Sequence, residues 1–244
     1  MSRLSLDIFA RQTYILFMSR LMTFAPGEYY HLYNRGTDKR KIFLDKADHE
    51  RFISLLYLCN SGIPLHRSDH LGMPLQKLLA LPRETTLVDI GAYCLMPNHF
   101  HILAHEQSEG GISLFMHKLS IAYVMYFNKR HERRGRLFEG TFRAEHATQD
   151  KYLKYLYAYI HLNPIGIIER DWKTHHIANK KMAEDFLGTY KYSSYLDYEN
   201  AEHERPEGII INKLAFPQYF EKQADFKDYI KDWMDNEDDA EHSS

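Results

Sequence analysis

The sequence predicts an α+β domain built on an antiparallel sheet, and three observations lead to this fold class. An aromatic-rich stretch at 28–35 alternates between apolar and polar residues, as a half-buried strand does. Two β-prone runs flank Pro97-Asn98, a link short enough for a hairpin. The stretch 112–130 places apolar residues three and four positions apart, which indicates an amphipathic helix.

The first half of the domain is predicted to contain one strand, one helix and a loop-rich insertion. The strand covers 28–35, and a turn at 36–38 ends it. Apolar residues at helical spacing place a helix at 45–60. The segment 61–86 holds three prolines and two glycines, so we interpret it as loops with one short helix at 75–79.

The second half adds three strands and two helices. The full order is then strand, helix, strand, strand, helix, strand, helix. This order is typical of a ferredoxin-like, or RRM-like, antiparallel sheet with helices on one face, in which the first and third strands are central and adjacent. The predicted strands are 87–95, 98–105 and 137–146, and the predicted helices are 112–130 and 151–162.

The predicted elements span residues 28–162 and are interpreted as one domain that holds the functional site, to which the motifs described below give the bounds 26–170. Residues 1–25 are interpreted as an N-terminal extension that need not be ordered. Residues 171–231 are expected to form a helical and loop-rich extension packed on the domain. Residues 232–244 are expected to be an acidic, disordered tail.

The composition is that of an ordinary soluble globular protein, with 44% apolar and 26% charged residues. No uncharged apolar run is long enough to span a bilayer. Cys59 and Cys94 form no CxxC motif, so both are expected to be reduced and buried. These features predict a cytoplasmic protein without a membrane partner.

The net charge of −2 is unusual for a protein that binds nucleic acid, but the charge is unevenly distributed. Six of the 33 acidic residues lie in 232–244, which contains no Lys or Arg. The rest of the chain has 31 basic and 27 acidic residues, a net charge of +4. A nucleic-acid partner is therefore compatible with the composition, and the 14% aromatic content would suit base stacking as well as core packing.

A pair of histidines separated by one apolar residue, His99-Phe100-His101, is the first candidate for chemistry. Strand side chains alternate between faces, so the two imidazoles would share one face while Phe100 points into the opposite core. Two imidazoles about 7 Å apart on a strand can bind one metal ion. The same pattern also fits two hydrogen-bonded histidines on a half-exposed strand.

The predicted helix at 151–162 supplies a second candidate. Tyr155, Tyr159 and Asn163 lie at i, i+4 and i+8, so they share a face, whereas His161 lies off it. A tyrosine hydroxyl and an amide one turn apart could act as a nucleophile and a metal ligand. A packed tyrosine and an ordinary helix-terminal asparagine are the alternatives. Pro164 is expected to end the helix, because the residue before a proline is disfavoured in the α conformation.

A basic run covers 128–136, with five bases and one acid in nine residues. One interpretation is a solvated helix end, where positive charge is favoured by the helix dipole. The other is a loop that contacts phosphates. The run alone does not distinguish between the two.

Four short motifs occur in order within residues 26–170. They are Tyr30-His31-Leu32-Tyr33-Asn34-Arg35-Gly36, Met96-Pro97-Asn98-His99-Phe100-His101, Gly135-Arg136-Leu137-Phe138-Glu139-Gly140 and Tyr159-Ile160-His161-Leu162-Asn163-Pro164. Together they resemble the single-tyrosine HUH transposases, and most closely the REP-associated tyrosine transposase branch. The segments 1–25 and 171–244 carry no such resemblance.

The resemblance implies a metal-dependent transesterase that cleaves and rejoins single-stranded DNA. Tyr159 would attack a phosphorus atom and form a 5′-phosphotyrosine link, which a 3′-hydroxyl later reverses. The implied cofactor is Mg²⁺ or Mn²⁺, held by His99, His101 and Asn163. Asn163 is one methylene shorter than the glutamine found in some relatives.

The resemblance also implies the partner, single-stranded DNA beside a hairpin formed by a palindromic repeat. Relatives act as monomers or as homodimers, and a nucleoid-associated location is expected. Five basic residues are candidates for phosphate or base contacts, and two further residues of the first strand are candidates for supporting roles. The basic residues are Arg35, Lys129, Arg133, Arg136 and Arg143, and the supporting residues are His31 and Asn34.

Other functions remain open on the sequence alone. A domesticated protein could bind hairpin DNA as a regulator without cutting it. A rolling-circle-type nicking enzyme would use the same histidine pair and a tyrosine. A metal-dependent hydrolase would use water as the nucleophile and form no covalent adduct.

Overall fold

The chain is described here by a computed structural model, in which four strands form one antiparallel sheet. The described residues are 23–63, 67–70, 72–170, 172, 177–199 and 205–235. The strands are β1 (Tyr29–Arg35), β2 (Val88–Met96), β3 (His99–Glu106) and β4 (Arg143–His146), and their order in the sheet is β2-β3-β1-β4. The predicted class is confirmed, and the first and third strands are central and adjacent, as expected.

Eight α-helices are found in the described residues, and four short 3₁₀ helices join them. The α-helices are α1 (Lys46–Leu58), α2 (Leu75–Leu79), α3 (Gly111–Arg130), α4 (Asp150–Leu162), α5 (Ile165–Ile168), α6 (Lys180–Leu187), α7 (Tyr195–Glu199) and α8 (Gln223–Asp235). The 3₁₀ helices are Thr37–Lys39, Arg67–His70, Pro206–Ile210 and Lys213–Ala215.

Helices cover both faces of the sheet, and not one face as the sequence predicted. On one face, α1 and α3 pack on the side chains of Leu32, Phe100 and Ile102. On the other face, α4 and the C-terminal elements pack on Cys94 and Leu103. Periodicity shows that a helix has an apolar face but does not say which side of a sheet receives it, so the second layer was missed.

The fourth strand is shorter than the predicted 137–146. Only Arg143–His146 forms a continuous ladder with β1. Upstream, Phe138 makes an isolated bridge with Gly36, and the Gly140 carbonyl accepts a hydrogen bond from the Asn34 side chain at 3.2 Å. This hydrogen bond from a side chain replaces a backbone hydrogen bond between the two strands, and the chain bends at this point.

Helix α4 ends at Leu162, as predicted, but Pro164 does not turn the preceding residue out of the helical conformation. Asn163 has φ −51° and ψ −37°, and Pro164 has φ −56° and ψ −26°, so α5 follows α4 directly. The bias against helical residues before proline is a matter of energy. Here the burial of Asn163 and Ile165 outweighs it.

The C-terminal segment packs against α4 and the sheet. Leu187, Tyr198, Phe226 and Ile230 are buried in the same cluster as β2 and α4 residues. Residues 232–235 form the last turn of α8, so the predicted disorder is wrong for these four residues. The rest of that predicted tail, and residues 1–22 of the predicted N-terminal extension, lie outside the described residues.

The described helices include none that is both long and apolar enough to cross a membrane.

Gly91 is a point of close contact between the sheet and the C-terminal segment. The register between β2 and β3 shifts between Ile90 and Ala92, which marks a bulge at this glycine. The Phe216 ring lies so close that a Cβ on Gly91 would be 2.7 Å from it. The Tyr198 hydroxyl donates a hydrogen bond to the Gly91 carbonyl at 2.7 Å.

We expect Gly91→Ala to lower the free energy of unfolding by about 1–3 kcal/mol, because the added methyl group overpacks the contact with Phe216. Urea denaturation would measure the loss. Gly140→Ala is the matched control, since a Cβ there meets no atom within 4 Å. Equal midpoints for the two variants would mean that Phe216 does not anchor the C-terminal segment.

Candidate functional site

The two histidines of β3 lie on one face of the sheet, as predicted. The ring centroids of His99 and His101 are 4.9 Å apart, and Phe100 between them packs in the core on the other face. Antiparallel pairing places Arg35 of β1 opposite His99 and Tyr33 opposite His101. Alternation along two central strands therefore assembles one polar face.

Helix α4 brings Tyr159 to this face. The centroid of the Tyr159 ring lies 5.4 Å from that of the His101 ring and 5.6 Å from that of the His31 ring, and the ring is edge-on to both. Asn163, one turn later, donates from its amide nitrogen to the Tyr159 carbonyl at 2.6 Å. The helix is held in place by Leu156 and Ile160, which are buried against the sheet.

These side chains line one cavity of about 410 Å³ between the sheet and α4. It lies where the C-terminal end of β1 and the N-terminal end of β3 meet the C-terminal end of α4. The lining residues are Tyr33, Asn34, Arg35, Met96, His99, His101, Glu139, Arg143, Tyr159, Asn163, Gly166, Arg170 and Trp172.

A chain of polar contacts runs behind the cavity from β4 to β3. Nε2 of His31 is 2.8 Å from Nδ1 of His101, and Nδ1 of His31 is 3.7 Å from the Glu145 carboxylate. Glu145 also accepts hydrogen bonds from the hydroxyls of Tyr33 at 2.7 Å and Tyr152 at 2.9 Å. His31 and His101 are both buried, whereas Glu145 is half-exposed.

The charge of Glu145 favours one tautomer for each of the imidazoles of His31 and His101. The His31 imidazole, with the Tyr33 and Tyr152 hydroxyls, holds the pKa of Glu145 at about 2, so the carboxylate is ionised and only accepts hydrogen bonds. An ionised carboxylate 3.7 Å from Nδ1 of His31 favours a proton on that nitrogen, so that Nε2 of His31 accepts the hydrogen bond from Nδ1 of His101. The basic nitrogen of His101 is therefore Nε2.

His99 has the same arrangement with a different partner. Its Nδ1 lies 2.7 Å from the side-chain oxygen of Asn98, which can only accept a hydrogen bond. Nε2 is therefore the basic atom of both rings. Metal-binding histidines characteristically have the other ring nitrogen fixed by a hydrogen bond in this way.

Burial raises the pKa of the Tyr159 phenol above its usual value, and the negative charge of Glu145 adds to the rise. The Asn163 side chain and the positive charge of Arg35 act in the opposite direction. The phenol is thus neutral at neutral pH and must lose its proton when it acts as a nucleophile.

The donor set at the cavity is two imidazoles and one amide. No group of three or more His, Cys, Asp or Glu side chains that could hold a metal ion occurs in the described part of the chain. The chemistry of His99, His101 and Asn163 fits a divalent ion that completes its coordination with oxygen atoms of a bound phosphate or of water.

The predicted basic residues divide into two groups. Arg35 and Arg143 line the cavity. Lys129, Arg133 and Arg136 do not: they lie at the end of α3 and in the loop that follows. Of the predicted supporting residues, Asn34 lines the cavity and His31 lies behind His101.

Several residues at the site were not selected from the sequence, among them Tyr33, Glu145, Arg170 and Trp172. Tyr33 lies two residues after His31 on β1, and Glu145 lies two residues after Arg143 on β4. Residues at this spacing share one face of a strand, so strand periodicity could have indicated both. Arg170 and Trp172 follow the last motif and carry no periodic signal. Only the fold of the chain after Pro164 brings them to the cavity.

A search of curated proteins finds no match to this chain. A search of solved structures finds a match to a REP-associated tyrosine transposase bound to a REP hairpin, which is 11% identical, has a TM-score of 0.45, and matches over 75% of this chain and 86% of that one.

The sequence model of the family described as "Transposase IS200 like" matches residues 27–163. This range contains the first three motifs, the fourth up to Asn163, the whole sheet and α4. Because the match covers more than half of the 244 residues, the chain belongs to the IS200-like transposase family and is a tyrosine transposase.

Proposed function

We propose that this chain cleaves and rejoins single-stranded DNA through a covalent link to Tyr159, with Mg²⁺ or Mn²⁺ bound by His99 and His101. The observation that carries the proposal is that these three side chains, from two different elements, line one cavity. Asn163 contributes a third ligand. The substrate is DNA beside a hairpin, which follows from the motifs shared with the REP-associated branch.

The reaction is an exchange of phosphodiester bonds. The Tyr159 oxygen forms a bond to phosphorus, and the bond from phosphorus to the 3′-oxygen of the preceding nucleotide breaks. The phenol proton is lost, and the released oxygen takes up a proton to become a 3′-hydroxyl. Attack by a 3′-hydroxyl on the link reverses these steps, so no water or external energy is needed.

The divalent ion, when bound, polarises the scissile phosphate and stabilises negative charge that develops on it. Arg35 and Arg143 line the same cavity and act on the phosphate as well. The positive charge of Arg35 also favours the ionised form of the Tyr159 phenol. His31 acts through His101, as a positioning residue.

We expect Tyr159→Phe to abolish strand cleavage and to leave DNA binding within about twofold, because one oxygen atom is lost and little packing changes. A denaturing gel with hairpin DNA that carries a single-stranded extension would measure cleavage, and a native gel would measure binding. Tyr157→Phe on the opposite face of α4 is the control and should cleave normally. Cutting by Tyr159→Phe would remove Tyr159 from the mechanism.

The double variant His99→Ala with His101→Ala should lose Mn²⁺ binding, because it removes both imidazole ligands. Isothermal titration calorimetry would measure the loss. His105→Ala is the control: it lies on the same strand and face but pairs with Asp89 at 2.9 Å, away from the cavity. A double variant that bound Mn²⁺ like the wild type would place the metal elsewhere.

Glu145→Gln should weaken Mn²⁺ binding about 10- to 100-fold, the range typical for a residue that orients a metal ligand. The amide lacks the charge that fixes the tautomers of His31 and His101. Glu28→Gln is the control, since Glu28 also pairs with a histidine, His146 at 2.9 Å, outside the cavity. Unchanged Mn²⁺ affinity in Glu145→Gln would show that the carboxylate does not position His101.

A further inference from the structure

A second cavity, of about 560 Å³, lies between the first half of α4 and the last turns of α8. It is separate from the cavity that holds the histidines, and the two share no lining residue. Four of its side chains are aromatic and two are lysines, with no acidic side chain among them. The lining residues are Thr148, Gln149, Lys151, Tyr152, Lys154, Tyr155, Tyr229 and Trp233, and we call this cavity the α4–α8 groove.

A row of aromatic rings connects the α4–α8 groove to Tyr159. The ring centroids of Tyr159 and Tyr155 are 5.7 Å apart, and those of Tyr155 and Trp233 are 5.0 Å apart. Tyr152 stacks on Tyr155 with a centroid distance of 5.9 Å and an interplanar angle of 24°. A strand held at Tyr159 thus meets continuous aromatic surface as it leaves toward α8.

The lysines provide positive charge at the same surface. Lys151 is exposed at the start of α4, and Nζ of Lys154 lies 4.9 Å from the centroid of the Tyr229 ring. Aromatic rings interleaved with lysines suit bases that stack and phosphates that pair with cations. A purely apolar ligand or an apolar peptide would gain nothing from Lys151.

The α8 half of the groove is an addition to the region shared with the family. The family match ends at residue 163, whereas Tyr229 and Trp233 come from α8. These two rings are held in place by their neighbours Ile230 and Met234, which are buried in the C-terminal core. The groove therefore combines residues of the matched range with two rings that lie beyond it.

We propose that the α4–α8 groove binds the single-stranded DNA that adjoins the bond cleaved at Tyr159, with bases stacked on Tyr155 and Trp233 and phosphates paired with Lys151 and Lys154. This inference rests on the proposed function for the position of the cleaved bond. Binding here is tolerant of sequence, because every base can stack on an aromatic ring.

The chain has two tryptophans, one at each cavity, and this allows the groove to be observed directly. Trp172→Phe leaves Trp233 as the reporter in the groove, and Trp233→Phe leaves Trp172 at the histidine cavity. Each full-length variant would be titrated with oligothymidylate in EDTA, so that the strand is bound but not cut. When a base stacks on a tryptophan ring, the fluorescence of the tryptophan is quenched.

We expect saturable quenching of Trp233 in the Trp172→Phe protein. Adding Lys151→Gln with Lys154→Gln should weaken this binding about tenfold and lower the dependence of log K on log salt by about 0.7 for each phosphate that no longer pairs with a lysine. Lys46→Gln with Lys77→Gln is the matched control, because these exposed lysines lie on α1 and α2, outside the groove, and should leave binding unchanged.

Three results would show whether DNA binding in the groove or the proposed function fails, independently of each other. Quenching of Trp172 alone, with Trp233 unaffected, would overturn the groove while single-strand binding at the histidine cavity stood. Unchanged affinity and salt dependence in the Lys151/Lys154 variant would also overturn it, since this variant alters no buried residue. Oligothymidylate could quench Trp233 while Tyr159 forms no covalent adduct with hairpin DNA in the presence of metal. That result would retain the groove and remove the proposed function.

Discussion

The antiparallel pairing of β1 with β3 is the constraint on which the site depends. It places Arg35 opposite His99 and Tyr33 opposite His101, and it brings His31 within hydrogen-bonding distance of His101. A shift of one residue in this register would point the polar side chains into the core and the core side chains into the cavity. The register is held by Leu32, Phe100 and Ile102, which fill the opposite face.

The other half of the site depends on how α4 is held against this sheet. Its inner face packs on β2 and β3, and its far side is covered by the C-terminal segment. His161 is fully buried there and bonds to the Ser194 hydroxyl at 2.7 Å, and burial lowers its pKa to about 3, so it stays neutral. The C-terminal segment thus fixes the helix that carries Tyr159, and α8 extends its surface.

Local periodicity was enough to predict the parts of the site that lie on regular elements. Alternation placed His99 and His101 together with Phe100 on the other side, and helical spacing placed Tyr155, Tyr159 and Asn163 on one face. The second layer of helices, the bend that shortens β4, and the approach of Trp172 depend on long-range packing, for which the sequence carries no periodic signal. Alternation along β4 could have placed Glu145 on the polar face, but its contact with His31 depends on the register between β1 and β4.

The central chemical claim is that Tyr159 becomes covalently linked to DNA. The most direct measurement is the intact mass of the full-length protein after incubation with Mn²⁺ and hairpin DNA carrying a single-stranded extension, followed by peptide mapping. We predict a mass increase equal to the cleaved strand, located on Tyr159 and absent when EDTA is added. Metal-dependent cutting with no mass increase would contradict the claim and would point to water as the nucleophile.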